Sequence, residues 1–361
     1  MTVKHNKPDF LKLDGLRLDH NIFANELAEA NYALGLMESA QSKLRSSRLL
    51  ISPLTAKEAT VSSRIEGTQS TVSDVFLFEA GAEPRYTDTQ QVANYRRAIT
   101  FATNELKKGR TISASLTKSI HGILLENVRH KGRVGMWRNN IVYIANQSTD
   151  PIDKALYIPP EPHFVQDYMD NYISYLEKGT ESVLIKAAIA HYQFEAVHPF
   201  DDGNGRVGRL LIPLIIFQEG KLSTPILYLS GYFDAHRDEY IEALRMTDTN
   251  RDYSVWTKFF LTCVTEQLKE TQRLIEKIYK LHEDTKAQFP NTKSPYLNSF
   301  ADFIFETPIF TVPQAQKRLH CTSLTVATLI KQFIRKNLME DLGIRRGHAK
   351  LYSFRPLLKL L

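Results

Sequence analysis

The stretch His198-Pro199-Phe200-Asp201-Asp202-Gly203-Asn204-Gly205-Arg206-Val207-Gly208-Arg209 gathers within twelve residues the groups that phosphorus chemistry needs. Gly203 and Gly205 permit a tight turn and close approach of a ligand to the backbone. An apolar helical pattern follows, so the first N–H groups of a helix and its positive dipole end face the turn and make an anion site. Arg206 and Arg209 stand three apart at the start of that helix, share a face and can clamp one anion together. A carboxylate beside a bound phosphate is repulsive unless a cation bridges them, so Asp202 implies Mg²⁺. His198, just ahead, is a candidate general base. A base, a metal ligand, an anion cradle and two guanidinium groups amount to the equipment for phosphoryl or nucleotidyl transfer.

Rival readings fail on spacing. Gly203 to Gly208 has the G-x-x-x-x-G spacing of a phosphate loop, but Arg209-Leu210 stand where Lys-Ser/Thr is required, and a helical pattern rather than a strand precedes them. His191 and His198 are seven apart and no HExxH occurs, which argues against a zinc hydrolase. A capped interhelical loop with surface arginines would explain the glycines alone. It does not explain His198, Asp202 and both arginines together.

Rigid helices must hold these groups, and the sequence supplies them. Apolar residues recur at three-to-four spacing over Asn21 to Ser47, Gln90 to Lys107, Ser182 to Ala196, Asn204 to Glu219 and Tyr253 to Asp284. The clearest strand signals, Ile141-Val142-Tyr143-Ile144 and Leu156-Tyr157-Ile158, flank the polar stretch Asn146-Gln147-Ser148-Thr149-Asp150-Pro151. They predict a small hairpin on a helical body. Polar, proline-marked Phe289 to Pro295 marks a boundary. Beyond it the pattern predicts a helix capped by Ser294 with Pro295 in its first turn, ending before Thr307-Pro308. A second helix is expected from Thr311 to near His320, and a third from about Thr322 to Lys336. A strand at Leu338 to Leu342, a turn at Gly343 to Gly347 and a strand at Lys350 to Phe354 should follow. Three helices and a hairpin resemble a winged helix, a shape that binds DNA in many proteins and serves as a docking or dimerisation module in others. Thr322, Ser323, Thr325, Lys331, Arg335, Arg345 and Arg346 are its candidates for phosphate contact.

Composition narrows the class. The 361 residues are 43% hydrophobic and 24% charged, which excludes a wholly disordered chain, collagen or a coiled-coil rod. Two cysteines, Cys263 and Cys321, exclude a disulfide framework and fit a reducing compartment. The opening residues lack the apolar run of a signal peptide, and the longest apolar run, Leu210 to Phe217, contains Pro213 and is too short to cross a bilayer. A soluble cytoplasmic protein with no membrane partner is expected. Net charge is +6, and residues 291–361 hold 11 Lys and Arg against 4 Asp and Glu, so the surplus lies in the C-terminal segment. That asymmetry points to an acidic or nucleic-acid partner there.

The twelve-residue stretch matches HxFx[DE]GNGRxxR at every specified position and so resembles the Fic (Fido) family. About Gln90 to Leu261 is similar to that family's all-helical core. The resemblance implies transfer of AMP from ATP to a Ser, Thr or Tyr hydroxyl of a protein, with self-modification among the outcomes. It implies that His198 deprotonates the hydroxyl, that Asp202 holds Mg²⁺, that Gly203, Asn204 and Gly205 cradle phosphates, and that Arg206 and Arg209 bind the outer ones. The Doc-type branch, which transfers phosphate, has Lys where Gly205 stands, so Gly205 favours AMP transfer. Gly135-Met136-Trp137-Arg138 with Ile141 to Ile144 looks like the family's flap, which aligns a target peptide by strand addition. On that likeness Val142, Tyr143, Ile144 and Ala145 belong to the nucleotide site. Leu156 to His163 is similar to the segment after the flap. Arg237-Asp238-Glu239-Tyr240 resembles the stretch whose tyrosine lies by the adenine, with Asp248 nearby.

A second motif lies upstream. Thr55 to Glu58 reads as a capping box opening a short helix, and Gly67 as its C-terminal stop. Glu66 then sits in the last turn, where a carboxylate opposes the helix dipole. Ser62-Ser63-Arg64-Ile65-Glu66-Gly67 fits the family's inhibitory [ST]xxxE[GN] motif, with Ser62, Glu66 and Gly67 in register. The resemblance pairs Glu66 with Arg209, and so keeps Arg209 from the γ-phosphate of ATP. By analogy, a homodimer that buries or exposes Glu66 would regulate the enzyme.

The expected fold is all-α: a Fic-like helical core with a β-hairpin flap, plus a C-terminal winged-helix domain. The expected division is 1–110 as an N-terminal helical region with its inhibitory helix at about 54–67, 111–262 as the catalytic core, 263–290 as a linker helix and 291–361 as the winged-helix-like domain. Other functions compete with an auto-inhibited protein adenylyltransferase: removal of AMP from proteins or transfer from another phosphate-bearing donor, and a DNA-binding regulator built on a vestigial core.

Overall fold

The computed structural model describes residues 4–13, 15–42, 48–145, 150–290 and 294–361. In chain order its helices are α1 (Ala24–Ser42), α2 (Arg48–Ile65), α3 (Val72–Glu79), α4 (Thr89–Lys107), α5 (Ala114–Leu124), α6 (Val165–Lys178), α7 (Val183–Val197), α8 (Asn204–Gln218), α9 (Ser230–Ala235), α10 (Arg237–Asn250) and α11 (Ser254–Ala287). The C-terminal segment runs α12 (Leu297–Glu306), β1 (Ile309–Thr311), α13 (Val312–Leu319), α14 (Ser323–Arg335), β2 (Met339–Arg346), β3 (Ala349–Phe354) and α15 (Arg355–Leu358). Helix takes 63% of the chain and the sheet is small, in keeping with the expected all-α class.

The chain forms two compact units, Met1–Ser42 with Arg97–Leu268 and Lys43–Arg96 with Lys269–Leu361. The first is organised on α7 and α8. Helix α7 buries every residue but Glu195, and α8 buries Asn204 and everything from Arg206 to Ile216. A helix apolar nearly all round belongs inside a core. Trp256 of α11 anchors to α7 by donating its indole N–H to the Ala188 carbonyl at 2.7 Å. An extended arm ahead of α1 is laced to the same unit: Asn171 of α6 accepts from the Leu11 N–H at 2.7 Å and donates to its carbonyl at 2.9 Å.

In the second unit, Ala56, Phe76, Ala80, Ile309 and Leu351 form one buried cluster. The sheet is antiparallel with order β1-β3-β2, pairing Ile309 with Ser353 and Met339 with Phe354. Strand β1 is absent from the sequence reading, because three residues are too few for an alternating pattern to show. Thr311 opens α13 with a capping box to Gln314, and Thr322 caps α14, as their positions before apolar runs suggest. The expected Gly343 to Gly347 turn is displaced. Strand β2 continues to Arg346 with a bulge between Asp341 and Arg345, so the reversal falls at Gly347. Helix α12 starts after, not at, Ser294-Pro295.

Two further expectations change. Thr55 is not an N-cap: α2 begins at Arg48, and the Thr55 hydroxyl donates back to the Ile51 carbonyl. Tertiary packing of Leu49, Leu50 and Leu54, all buried, extends the helix past Pro53. The hairpin at 141–158 shrinks to one bridge, Ile144 to Tyr157, with no ladder at 141–143. The polar stretch at 146–149, the expected helix end at 43–47 and linker residues 291–293 lie outside the described residues.

Candidate active site

The site is the junction of α7 and α8. Helix α7 ends at His198, which takes a left-handed backbone (φ 51°, ψ 62°) while its N–H still donates to the Phe194 carbonyl at 2.9 Å. That turn lifts the imidazole out of the helix line. Its Nδ1 lies 3.3 Å from the Glu195 carbonyl. A carbonyl only accepts, so Nδ1 carries the proton and Nε2 the lone pair that a general base needs.

Gly203 starts α8 at φ 77°, a conformation that glycine adopts without strain. No side chain caps the helix there, so an anion is the partner its first N–H groups call for. Arg206 and Arg209 are both buried, each 4% exposed. Arg206 donates to Asp202 Oδ1 at 3.3 Å across one helical turn. The Asp202 carboxylate keeps about a third of its surface exposed (32%) beside this cationic helix start. A magnesium ion is held typically by one or two carboxylates with phosphates and waters completing its shell. Asp202 fits that role, although no group of three or more metal-ligating side chains occurs among the described residues.

The Asn204 side chain accepts from the Phe200 N–H at 2.8 Å and donates to the Phe200 carbonyl at 2.9 Å. It staples the loop while its backbone N–H stands at the start of α8. Gly205 stands on the first turn beside it.

Three residues that the sequence reading did not weigh as site residues hold this loop. Buried His121 of α5 stacks on Phe200 with ring centroids 3.8 Å apart. Its Nε2 lies 2.9 Å from the Asp202 carbonyl, and its Nδ1 accepts the Gly135 N–H at 2.8 Å. Asp201 accepts the Arg133 N–H at 3.0 Å and an Asn140 amide N–H at 3.3 Å. Buried Arg138 reaches the carbonyls at the end of α7. Apart from Gly135, which is 14 residues from His121, these partners are 59 to 81 residues distant in sequence, so no local spacing marks them.

Tyr240 lies on α10, buried and stacked on Phe233 at 4.5 Å, with its hydroxyl 3.0 Å from His191 Nε2. His191 feels the Arg209 charge, so Tyr240 is brought to the arginine side of the site. Asp248, on the same helix, is half-buried near the Tyr192 and Tyr157 hydroxyls, and burial raises its pKa. Val142, Tyr143, Ile144 and Ala145 stand on the limb after Arg138 and Asn140. Tyr143 donates its hydroxyl to the Asp150 carbonyl at 2.8 Å, and Ile144 makes the one bridge. Ser62, Glu66 and Gly67 belong to the other compact unit, at the end of α2. Gly67 (φ 93°) donates to Arg64 at 2.8 Å and Thr68 to Ser63 at 3.3 Å, a helix stop that fixes Glu66 just beyond Ile65.

Two buried histidines set an acid limit on this unit. Burial pushes His121 down to about 4, and burial with the Arg209 charge pushes His191 to about 3. Both stay neutral when folded and titrate near 6.5 when unfolded. As pH falls below about 6.5 the unfolded chain takes up protons that the folded unit refuses, so stability declines on acidification. The urea midpoint read by Trp137 and Trp256 fluorescence, both in this unit, should fall between pH 7 and 5.5. The slope should be shallower in His191→Asn. An equal slope in that variant would contradict the assignment.

Comparison with known proteins places this arrangement. Residues 24–104 match the family model described as Fic/DOC family N-terminal, and residues 111–216 match that of the Fic/DOC family. A probable protein adenylyltransferase of Aquifex aeolicus is 37% identical over 92 residues, 25% of this chain and 26% of the relative. Protein adenylyltransferase Fic of Nematostella vectensis is 26% identical over 201 residues, 54% of this chain and 43% of the relative. The chain thus spans less than half the length of these curated relatives. In fold it is similar to a crystal structure of a Fic family protein from Desulfovibrio desulfuricans G20 (TM-score 0.60, 19% identity, 94% of this chain and 98% of that one). It is also similar to residues 134–508 of Fic-1 from C. elegans (TM-score 0.54, 22% identity, 71% and 74%). With both domain models matched in their order along the chain, and the signature complete at the α7–α8 junction, the chain belongs to the Fic/DOC family.

Proposed function

We propose that this chain transfers AMP from ATP to a Ser, Thr or Tyr hydroxyl of a protein, releasing pyrophosphate. The observation that carries the reading is the α7–α8 junction: a histidine base whose Nδ1 lies against the Glu195 carbonyl, then an uncapped helix start with two buried arginines. His198 takes the hydroxyl proton as the alcohol oxygen bonds to the α-phosphorus. The bond from that phosphorus to the bridging oxygen of pyrophosphate breaks. The first N–H groups of α8, with Arg206 and Arg209, hold the phosphates and the charge that departs with them. Asp202 would hold Mg²⁺, which supplies charge neutralisation between the phosphates and this carboxylate when bound. The names of the relatives support ATP as substrate and a protein as acceptor. No described helix is long and apolar enough to cross a membrane.

Glu66 is read as a built-in restraint on this reaction, on the strength of its motif. The C-terminal segment is read as a docking module rather than a DNA reader. Arg318 is engaged by Glu306, Lys350 by Asp341 and Arg355 by Glu340. Arg346 lies so close over Gly81 that a Cβ there would come within 2.4 Å of its Cδ.

Purified protein incubated with Mg-ATP should gain the mass of AMP, and GTP, CTP or UTP should give no nucleotide adduct. An AMP-labelled target that loses its label on incubation with this protein alone would favour AMP removal instead. Uptake of phosphate without the nucleoside would refute both.

A further inference from the structure

We infer that Arg138 is the positioning residue that fixes the base His198 and ties it to both limbs of the flap; the inference rests on the transferase reading above. Arg138 is 3% exposed, and no carboxylate lies within ion-pair distance of it among the described ion pairs. Its guanidinium is spent on backbone carbonyls instead. Nε donates to His198 at 2.8 Å, one terminal nitrogen to Pro160 at 2.7 Å and Val197 at 3.2 Å, and the other to Asn140 at 3.1 Å. The Arg138 backbone N–H adds a bond to the Pro199 carbonyl at 2.8 Å.

The placement has a physical logic. The last carbonyls of a helix lack intrahelical partners, and a cation there complements the dipole. Those of α7 end at the residue whose left-handed backbone aims the imidazole. Only a rigid five-donor fork can reach four carbonyls on three segments at once; an ammonium group has three donors at one point. Asn140 enters the flap and Pro160 leaves it, so one buried group joins both flap limbs to the base. Displacement of either limb by a docking peptide would strain the same bonds that hold Val197 and His198.

The test uses Arg138→Lys and Arg138→Gln in the full chain carrying Glu66→Gly. Calorimetric Mg-ATP affinity should stay within about twofold of the Glu66→Gly parent, because no phosphate contact is removed. Turnover should fall about 100-fold, the usual scale for a misplaced reacting group. Lys should recover little, since charge alone cannot replace the fork. In histidine-labelled protein the His198 ring signals should shift in Arg138→Gln while those of His191 stay. Parallel loss of ATP affinity, turnover and melting temperature would mark a merely structural role and overturn the inference, as would parent-like turnover with unmoved His198 signals. A Glu66→Gly parent that transfers nothing refutes the transferase reading itself, and the His198 signals then still decide whether Arg138 positions that ring.

Discussion

Replacing His198 by alanine should lower AMP transfer by about 10²–10⁴-fold while Mg-ATP still binds. The span is that of a lost general base. The imidazole is set out of line with α7 by its left-handed backbone, with its Nδ1 against the Glu195 carbonyl. The groups proposed to hold the phosphates stand on α8, beyond the loop, and the substitution removes none of them. Alanine is uncomfortable at φ 51°, whereas asparagine tolerates that region. His198→Asn therefore separates loss of the base from loss of the turn, and both variants should be equally inactive. Transfer from radiolabelled ATP and calorimetry on the same preparations provide the two readouts. Undiminished transfer by either variant would refute the base assignment.

Glu66→Gly should raise transfer by about 100-fold. Glu66 stands just past the end of α2, where a carboxylate opposes the helix dipole. The helix stop at Gly67, with N–H bonds back to Arg64 and Ser63, nonetheless holds it in one place. The inhibitory motif supplies the reason for such an investment. A guanidinium paired with a carboxylate is unavailable to the outermost phosphate, and a triphosphate held about 1 Å out of line reacts on the order of 100-fold slower. On the proposed restraint, removing the carboxylate would restore in-line geometry without adding any catalytic group. Intact-mass spectra of the two proteins after equal incubation with Mg-ATP should show AMP accumulating faster on Glu66→Gly. Equal accumulation would remove the restraint from this account, though not the transferase reading.

What the sequence determined by itself is what short-range forces settle. The turn at Gly203, the start of α8, the stop at Gly67 and the caps at Thr311 and Thr322 depend on residues within a turn of each other. The spans expected for α4, α7 and α8 agree with the observed ones within a residue at either end, because their apolar stripes are uninterrupted. The chemistry was legible for the same reason: base, carboxylate and arginines share one loop and one helical turn.

Tertiary structure alone decided what depends on distant partners. Residues 48–96 pack with the C-terminal segment because Ala56, Phe76 and Ala80 find Ile309 and Leu351, more than 200 positions away. The flap limb at 141–143 is β-branched and aromatic like a strand, yet only Ile144 is paired, since a ladder needs a second strand that the described chain does not place there. Asn204, a phosphate ligand by motif, closes the loop through Phe200. His121 carries no mark in sequence, and Arg138 stands in the flap-like stretch with nothing to mark its hold on the end of α7. Their value comes from burial beside carbonyls about 60 and 80 residues distant, where an unmet backbone acceptor is costly and a side-chain donor of the right shape removes that cost.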